Sequence, residues 1–191
     1  MRKFAVLMAI TALVLACKKS EQATTGSSTT VTTTAKEPAK KEQTPTAEIG
    51  SNVGQKMPAY ATKYLDGREF ALASEQNKVV LLNVWATWCG PCRAEMPELQ
   101  ALHDKYAARG FEVIGASVDE GDSQVVKDFA AQYRITYPLV HDPEGKIAAV
   151  LDASVLPTTV LIDRNGRIVL KHIGQIQPKD DELAKAIEKA L

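Results

Sequence analysis

The order of apolar and polar residues divides this chain into an apolar start, a polar stretch and a long patterned region. Behind Arg2 and Lys3, the residues from Phe4 to Ala16 are almost wholly apolar. A run that short covers about 20 Å as a helix, against about 30 Å of bilayer core. It therefore predicts the apolar part of an export signal rather than a permanent membrane span. Residues 18–50 are rich in Thr, Ser, Lys, Glu and Pro and nearly empty of large apolar side chains. Such a stretch cannot bury enough surface to offset the entropy of ordering it, and it reads as a spacer.

From about Gly54 the rhythm is that of a folded domain. Tyr60 to Leu72 alternates about Asp66-Gly67, which predicts a β-hairpin. Val79 to Ala86 is almost continuously apolar, the pattern of a central strand covered on both faces. Pro91 to Arg109 carries Leu99, Leu102 and Tyr106 at helical spacing and stops at Gly110. Phe111 to Val118 predicts the next strand. Asp122 to Tyr133 predicts a helix with Val125, Val126, Phe129 and Ala130 on one side. Leu139-Val140 reads as a short strand and Gly145 to Leu151 as a short helix. Thr159 to Asp163 and Ile168 to Ile173 flank Arg164-Asn165-Gly166, a second hairpin signal, and Asp180 to Leu191 closes the chain as an amphipathic helix. This order predicts an α/β fold with a mixed central sheet flanked by helices. The expected organisation is a signal segment at 1–16, a tether at 17–50 and one folded domain at 51–191.

Charge adds one exclusion. The chain has 23 basic and 23 acidic side chains, and from Ser51 onward 16 basic face 19 acidic. A mildly acidic domain gives no electrostatic reason to expect a nucleic-acid partner.

The three cysteines matter by position. Cys89 and Cys92, in Trp88-Cys89-Gly90-Pro91-Cys92, sit where the buried strand gives way to a helix. A cysteine at a helix N-terminus meets unpaired N–H groups and the helix dipole, both of which favour a thiolate. Pro91 suits the first helical position, where its missing N–H costs nothing. Cys89 then reads as the attacking thiol and Cys92, one turn inward, as the resolving thiol of a dithiol–disulfide exchange. A structural bridge closing so short a loop gains only about 2 kcal/mol on the entropic model. Zinc needs about four ligands, and His103, His141 and His172 are scattered without ligand spacing. No metal and no cofactor are expected.

Val14-Leu15-Ala16-Cys17 resembles a bacterial lipoprotein cleavage site, which implies lipid on Cys17, export, and a location in the cell envelope on the extracytoplasmic (periplasmic) side of a membrane. Lys18 bears on sorting between membranes in enterobacteria. Disulfides persist in such a compartment unless something reduces them.

Residues from about 54 to 191 resemble the thioredoxin superfamily, in particular its membrane-attached TlpA- and ResA-like branch. The resemblance rests on Trp85-Ala86-Thr87-Trp88-Cys89-Gly90-Pro91-Cys92, on Arg93-Ala94-Glu95-Met96-Pro97-Glu98-Leu99, on Leu156-Pro157-Thr158-Thr159 and on Leu161-Ile162-Asp163-Arg164-Asn165-Gly166. It implies a thioredoxin-like fold with an N-terminal β-hairpin and a short insertion before a cis-proline strand. It implies a redox disulfide Cys89–Cys92, a cis-proline at Pro157, and pairing of the backbone at Leu156 with an extended substrate beside Trp88, Gly90 and Pro91. Glu95, three residues after Cys92 and so its neighbour on a helix, is implied as the group tied to the proton chemistry of the cysteines. Glu98 reads as surface charge. Asn83 departs from thioredoxin, which has a buried aspartate six residues before its first cysteine. An amide cannot take a proton, and Asn83 is expected to be a structural amide with its hydrogen bonds satisfied.

The implied activity is protein-disulfide reduction, with exported disulfide-containing proteins such as apocytochromes as clients and a membrane thiol donor as the electron source. The Gly-Pro between the cysteines favours a reducing role over that of an oxidase. Isomerase activity is a further alternative. A peroxidase of the related peroxiredoxin type has Thr three and Pro seven residues before its reactive cysteine, where this chain has Ala86 and Leu82. A tethered copper carrier using the cysteine pair is the non-enzymatic alternative.

Overall fold

The computed structural model describes residues 48–191. The expected signal segment, Cys17 with its lipid, and the tether as far as residue 47 lie outside the described residues. Glu48 and Gly50, at the end of the segment read as a tether, are already hydrogen-bonded to Lys56: Lys56 N donates to Glu48 O at 2.8 Å and Gly50 N to Lys56 O at 3.0 Å.

The first hairpin forms β1 (Ala61–Tyr64) and β2 (Glu69–Ala71). The apolar run becomes β3 (Val79–Trp85), buried at every residue. Helix α1 follows (Gly90–Tyr106), extended by one 3₁₀ turn to Arg109 and ended by Gly110 at φ 82°, a conformation that glycine adopts without steric cost. Strand β4 (Phe111–Ser117), helix α2 (Gln124–Tyr133), strand β5 (Leu139–His141) and a short α3 (Lys146–Val150) complete the first half. Strands β6 (Thr158–Ile162) and β7 (Ile168–Ile173) form the second hairpin. Helix α4 (Asp181–Ala190) begins at Asp180, whose carboxylate accepts from Leu183 N at 2.9 Å as an N-cap.

The strands form one seven-stranded sheet in the order β2-β1-β5-β4-β3-β6-β7. The β3–β4 and β4–β5 pairs are parallel and the others antiparallel, so the sheet is mixed. This is the thioredoxin-like α/β architecture, with the N-terminal hairpin on one edge and the short α3 ahead of the strand that follows Pro157.

Alternate residues of β3 serve two cores. Val79, Leu81 and Trp85 pack with Met96, Leu99, Leu102 and Tyr106 of α1 and with Leu183 and Ile187 of α4. Val80, Leu82 and Val84 pack on the other face with Ile147 and Leu151 around α3. Full burial of a Leu side chain stabilises by about 1.5–3 kcal/mol. A one-residue slip of β3 would therefore lose both cores, and it would carry Asn83 away from α1.

Two details differ from the sequence expectation. Val125 is 46 % exposed and only Val126 of α2 is fully buried, so the apolar side of α2 is narrower than its periodicity suggests. Pro91 is the second helical residue, because Cys89 is the N-cap and Gly90 the first. Pro97 lies inside α1 and forgoes the bond its N–H would make to the carbonyl of Arg93.

Candidate active site at the start of helix α1

The end of β3 turns sharply before α1. Cys89 N donates to Ala86 O at 3.1 Å, closing the turn. Asp119, buried at the end of β4, clamps it: Asp119 accepts from Thr87 N at 2.9 Å, from Thr87 Oγ1 at 2.6 Å and from Ser117 Oγ at 2.7 Å. Nothing in the sequence pointed to this clamp, because its two halves lie 32 positions apart.

Cys89 then sits at the N-cap of α1, and its Sγ accepts from Cys92 N at 3.2 Å. The two cysteines form a disulfide with a Cα–Cα separation of 5.3 Å. Cys89 is 6 % exposed and Cys92 is fully buried, so Cys89 is the sulfur nearer to solvent. Trp88 is 70 % exposed beside it, and Gly90 and Pro91 are exposed as well. An open cleft of about 700 Å³ runs from Trp88 between Val118, Glu120 and Val125.

Strand β6 brings the second component. The Leu156–Pro157 peptide is cis. Thr158 lies opposite Val84 in the antiparallel β3–β6 register, so Pro157 falls at the end of β3 that leads into the cysteines. Leu156 packs against the core cluster that holds Cys89 and Cys92. The carbonyl of Pro157 accepts from Gly174 N at 2.8 Å, which fixes the segment from the β7 side.

Glu95 lies one turn along α1 from Cys92 and is 1 % exposed. Its Oε1 accepts from Asn83 Nδ2 at 2.7 Å and its Oε2 from Ile176 N at 2.7 Å. Burial pushes its carboxyl up from 4.5 to about 7, against the pull of the two donors. This carboxyl can therefore change charge near neutral pH.

Asn83 is only half satisfied, contrary to the expectation of a fully bonded amide. Its Nδ2 also donates to Thr159 Oγ1 at 2.9 Å, whereas its Oδ1 is buried without a partner among the described residues. Strand periodicity places Asn83 on the α1 side, but its contacts with Glu95, 12 positions on, and Thr159, 76 positions on, need the fold. Glu98 is half-buried. The positions where a peroxiredoxin has Pro and Thr, Leu82 and Ala86, are fully buried apolar residues.

Among the described residues, no three His, Cys, Asp or Glu side chains gather into a group able to hold a metal ion. No helix among them is long and apolar enough to cross a membrane.

Residues 53–171 match the AhpC/TSA family. The chain is 37 % identical over 123 residues to the thiol-disulfide oxidoreductase ResA of Bacillus cereus, covering 64 % of this chain and 70 % of that protein. It is 38 % identical over 136 residues to ResA of Geobacillus thermodenitrificans, covering 71 % and 77 %. A crystal structure from Chlorobium tepidum, provisionally assigned as the thiol:disulfide interchange protein DsbE, superposes with a TM-score of 0.68 at 32 % identity, over 73 % of this chain and 97 % of that one. An oxidised cysteine pair capping a helix in a thioredoxin-like fold agrees with these likenesses, and the chain belongs to the AhpC/TSA family as a thiol-disulfide oxidoreductase of the ResA/DsbE type.

Proposed function

We propose that this protein is a reductase of disulfides in exported proteins, acting outside the cytoplasm from a lipid anchor on Cys17. The observation that carries the mechanism is the asymmetry of the cysteine pair: Cys89 caps α1 next to solvent, while Cys92 lies buried one turn from Glu95. In the reduced protein the helix N-terminus favours the Cys89 thiolate. Cys89 Sγ attacks a client disulfide, one client sulfur leaves as a thiolate, and a mixed disulfide remains. Cys92 Sγ then attacks Cys89 Sγ, and the second client sulfur departs with the electron pair. Glu95 takes the proton that Cys92 gives up, and its carboxyl, held near 7 by burial, is matched to that task at neutral pH. The client gains two electrons and the protein ends as the Cys89–Cys92 disulfide.

The client strand lies over Trp88, Gly90 and Pro91 and pairs with the backbone at Leu156, where cis-Pro157 presents no N–H to compete. The clients on this reading are disulfide-containing exported proteins such as apocytochrome c, taken as extended, unfolded segments. A membrane thiol donor returns the electrons. The likeness to ResA and DsbE supports the redox class, and Val14-Leu15-Ala16-Cys17 supports the anchor.

The direction of electron flow is tested by the equilibrium potential of the Cys89–Cys92 pair. It is measured in glutathione or dithiothreitol buffers from the fluorescence of Trp85 and Trp88. A value at or below about −250 mV agrees with a reductase, whereas one near −120 mV makes the protein an oxidant of its clients.

A further inference from the structure

Asn83 stands on the face of β3 that meets α1, opposite Thr159 of β6. Its side chain joins the two through its amide nitrogen, at 2.7 Å from Glu95 Oε1 and 2.9 Å from Thr159 Oγ1. Its carbonyl oxygen is buried with no partner among the described residues. A buried amide with one end unused, inside a strand whose other residues are all apolar, is a costly arrangement for a purely structural group.

The donors around Glu95 decide what a proton there must do. Oε2 accepts from the backbone N–H of Ile176 at 2.7 Å, a donor that cannot reverse. A proton arriving on Glu95 therefore belongs on Oε1. Oε1 then carries a hydrogen to donate and is a much poorer acceptor for Asn83 Nδ2, which can only donate. Half a turn of the amide removes the conflict by presenting Oδ1 to the Glu95 hydroxyl. Thr159 Oγ1 can accept or donate, and it turns from accepting from Nδ2 to donating to Oδ1. Each state leaves one end of the amide unpaired, Oδ1 in the first and Nδ2 in the second, so neither orientation is strongly preferred on that count.

We propose that Asn83 is a positioning residue whose amide reverses with the proton on Glu95, donating to the charged carboxylate and accepting from the neutral carboxyl, with the Thr159 hydroxyl exchanging roles in step. This rests on the reading that Glu95 takes the Cys92 proton. In the resolving step the Cys92–Cys89 bond forms and the Cys89–client bond breaks, with its electron pair leaving on the client sulfur. The proton from Cys92 resides on Glu95 Oε1 until it passes to the client thiolate. The reversal keeps both charge states of Glu95 hydrogen-bonded while that proton is held.

The groups that face Glu95 are few. Cys92 lies on its own helix, Asn83 and Ile176 N come from β3 and the segment after β7, and Tyr137 comes from the segment before β5. The charge on Glu95, after burial, pushes the phenol of Tyr137 above its usual range, and the phenol stays neutral throughout. Burial raises the Glu95 carboxyl, and its two neutral donors pull it part of the way back down.

The test is NMR on the full-length reduced protein, following the Glu95 carboxyl carbon and the Asn83 side-chain NH₂ across neutral pH. The expected result is one shared midpoint for both signals. In Glu95→Gln the Asn83 signals should stay flat at their low-pH position, because the glutamine amide donates where a neutral carboxyl would. In Asn83→Leu the Glu95 midpoint should rise by about one pH unit, since a hydrogen bond to a charged group is worth more than one to a neutral group. An Asn83 NH₂ that stays flat while Glu95 titrates would overturn the reversal and leave the role of Glu95 standing. A Glu95 carbon that does not titrate near neutral pH would overturn the role of Glu95, and the reversal with it.

Discussion

Strand β3 has a buried carboxylate near each end, and the two are accommodated in opposite ways. At its start Glu75, 9 % exposed, meets a cation: Lys78 Nζ lies 2.7 Å from Glu75 and 2.5 Å from Glu112 of β4. The two carboxylates hold the ammonium in its charged form by pushing its titration well above the ordinary lysine range. Toward its other end Glu95 is buried more deeply, and its two partners are neutral donors, an amide and a backbone N–H. The difference is one of purpose. The ion pair holds its lysine charged and ties the start of β3 to β4, whereas neutral donors leave a buried carboxyl with a pKa near 7, where a proton can come and go.

Removing the charge at the cysteine end sharpens that contrast most. The folded pKa of Glu95, about 7, lies above its ordinary 4.5. Between those values the folded state keeps a proton that the unfolded chain releases, so stability falls as pH rises through the window. The cost is absent below about 4.5 and complete above about 7, where it amounts to about 3 kcal/mol. Glu95→Gln should therefore raise the unfolding free energy of the oxidised protein by about that much in alkaline buffer and by little in acid. Equal effects at both ends of the pH range, measured by denaturant titration, would show that Glu95 is not a carboxyl held protonated by burial.

A smaller effect is expected at the other end. Lys78→Met leaves Glu75 and Glu112 without their shared cation, but the lysine side chain is 45 % exposed and water screens the loss. A cost of about 1 kcal/mol is expected, diminished in high salt, with the exchange rate unchanged. A variant that folds normally but exchanges disulfides more slowly would show that this end also serves the chemistry.

Local signals made much of this molecule legible in its sequence. Asp66-Gly67 and Asn165-Gly166 mark turns, Gly110 ends a helix and Asp180 caps one, and each acts through neighbours within a few residues. The cysteine pair and its place at the start of a helix were readable for the same reason. Glu95 was marked by helical spacing from Cys92 together with the resemblance, whereas its burial came only with the fold. What could not be read was set by pairing across the sheet. The Asp119 clamp on Thr87, the contact of Asn83 with Thr159, and the Ile176 N–H on Glu95, 81 positions away, all come from strand order and register. Val125 illustrates the other limit, since helical periodicity shows which residues share a side and not how wide a strip the sheet covers.

The most direct test of the account is the rate at which Cys92 resolves a mixed disulfide between Cys89 and a client peptide, followed across neutral pH in the wild type and in Glu95→Gln. The wild-type rate should inflect near 7, where the Glu95 carboxyl changes charge. In the variant that inflection should vanish and the neutral-pH rate should fall by about 100-fold, as expected on losing a positioned proton acceptor. An inflection of the same midpoint in the variant, with an undiminished rate, would contradict the claim that Glu95 carries the proton.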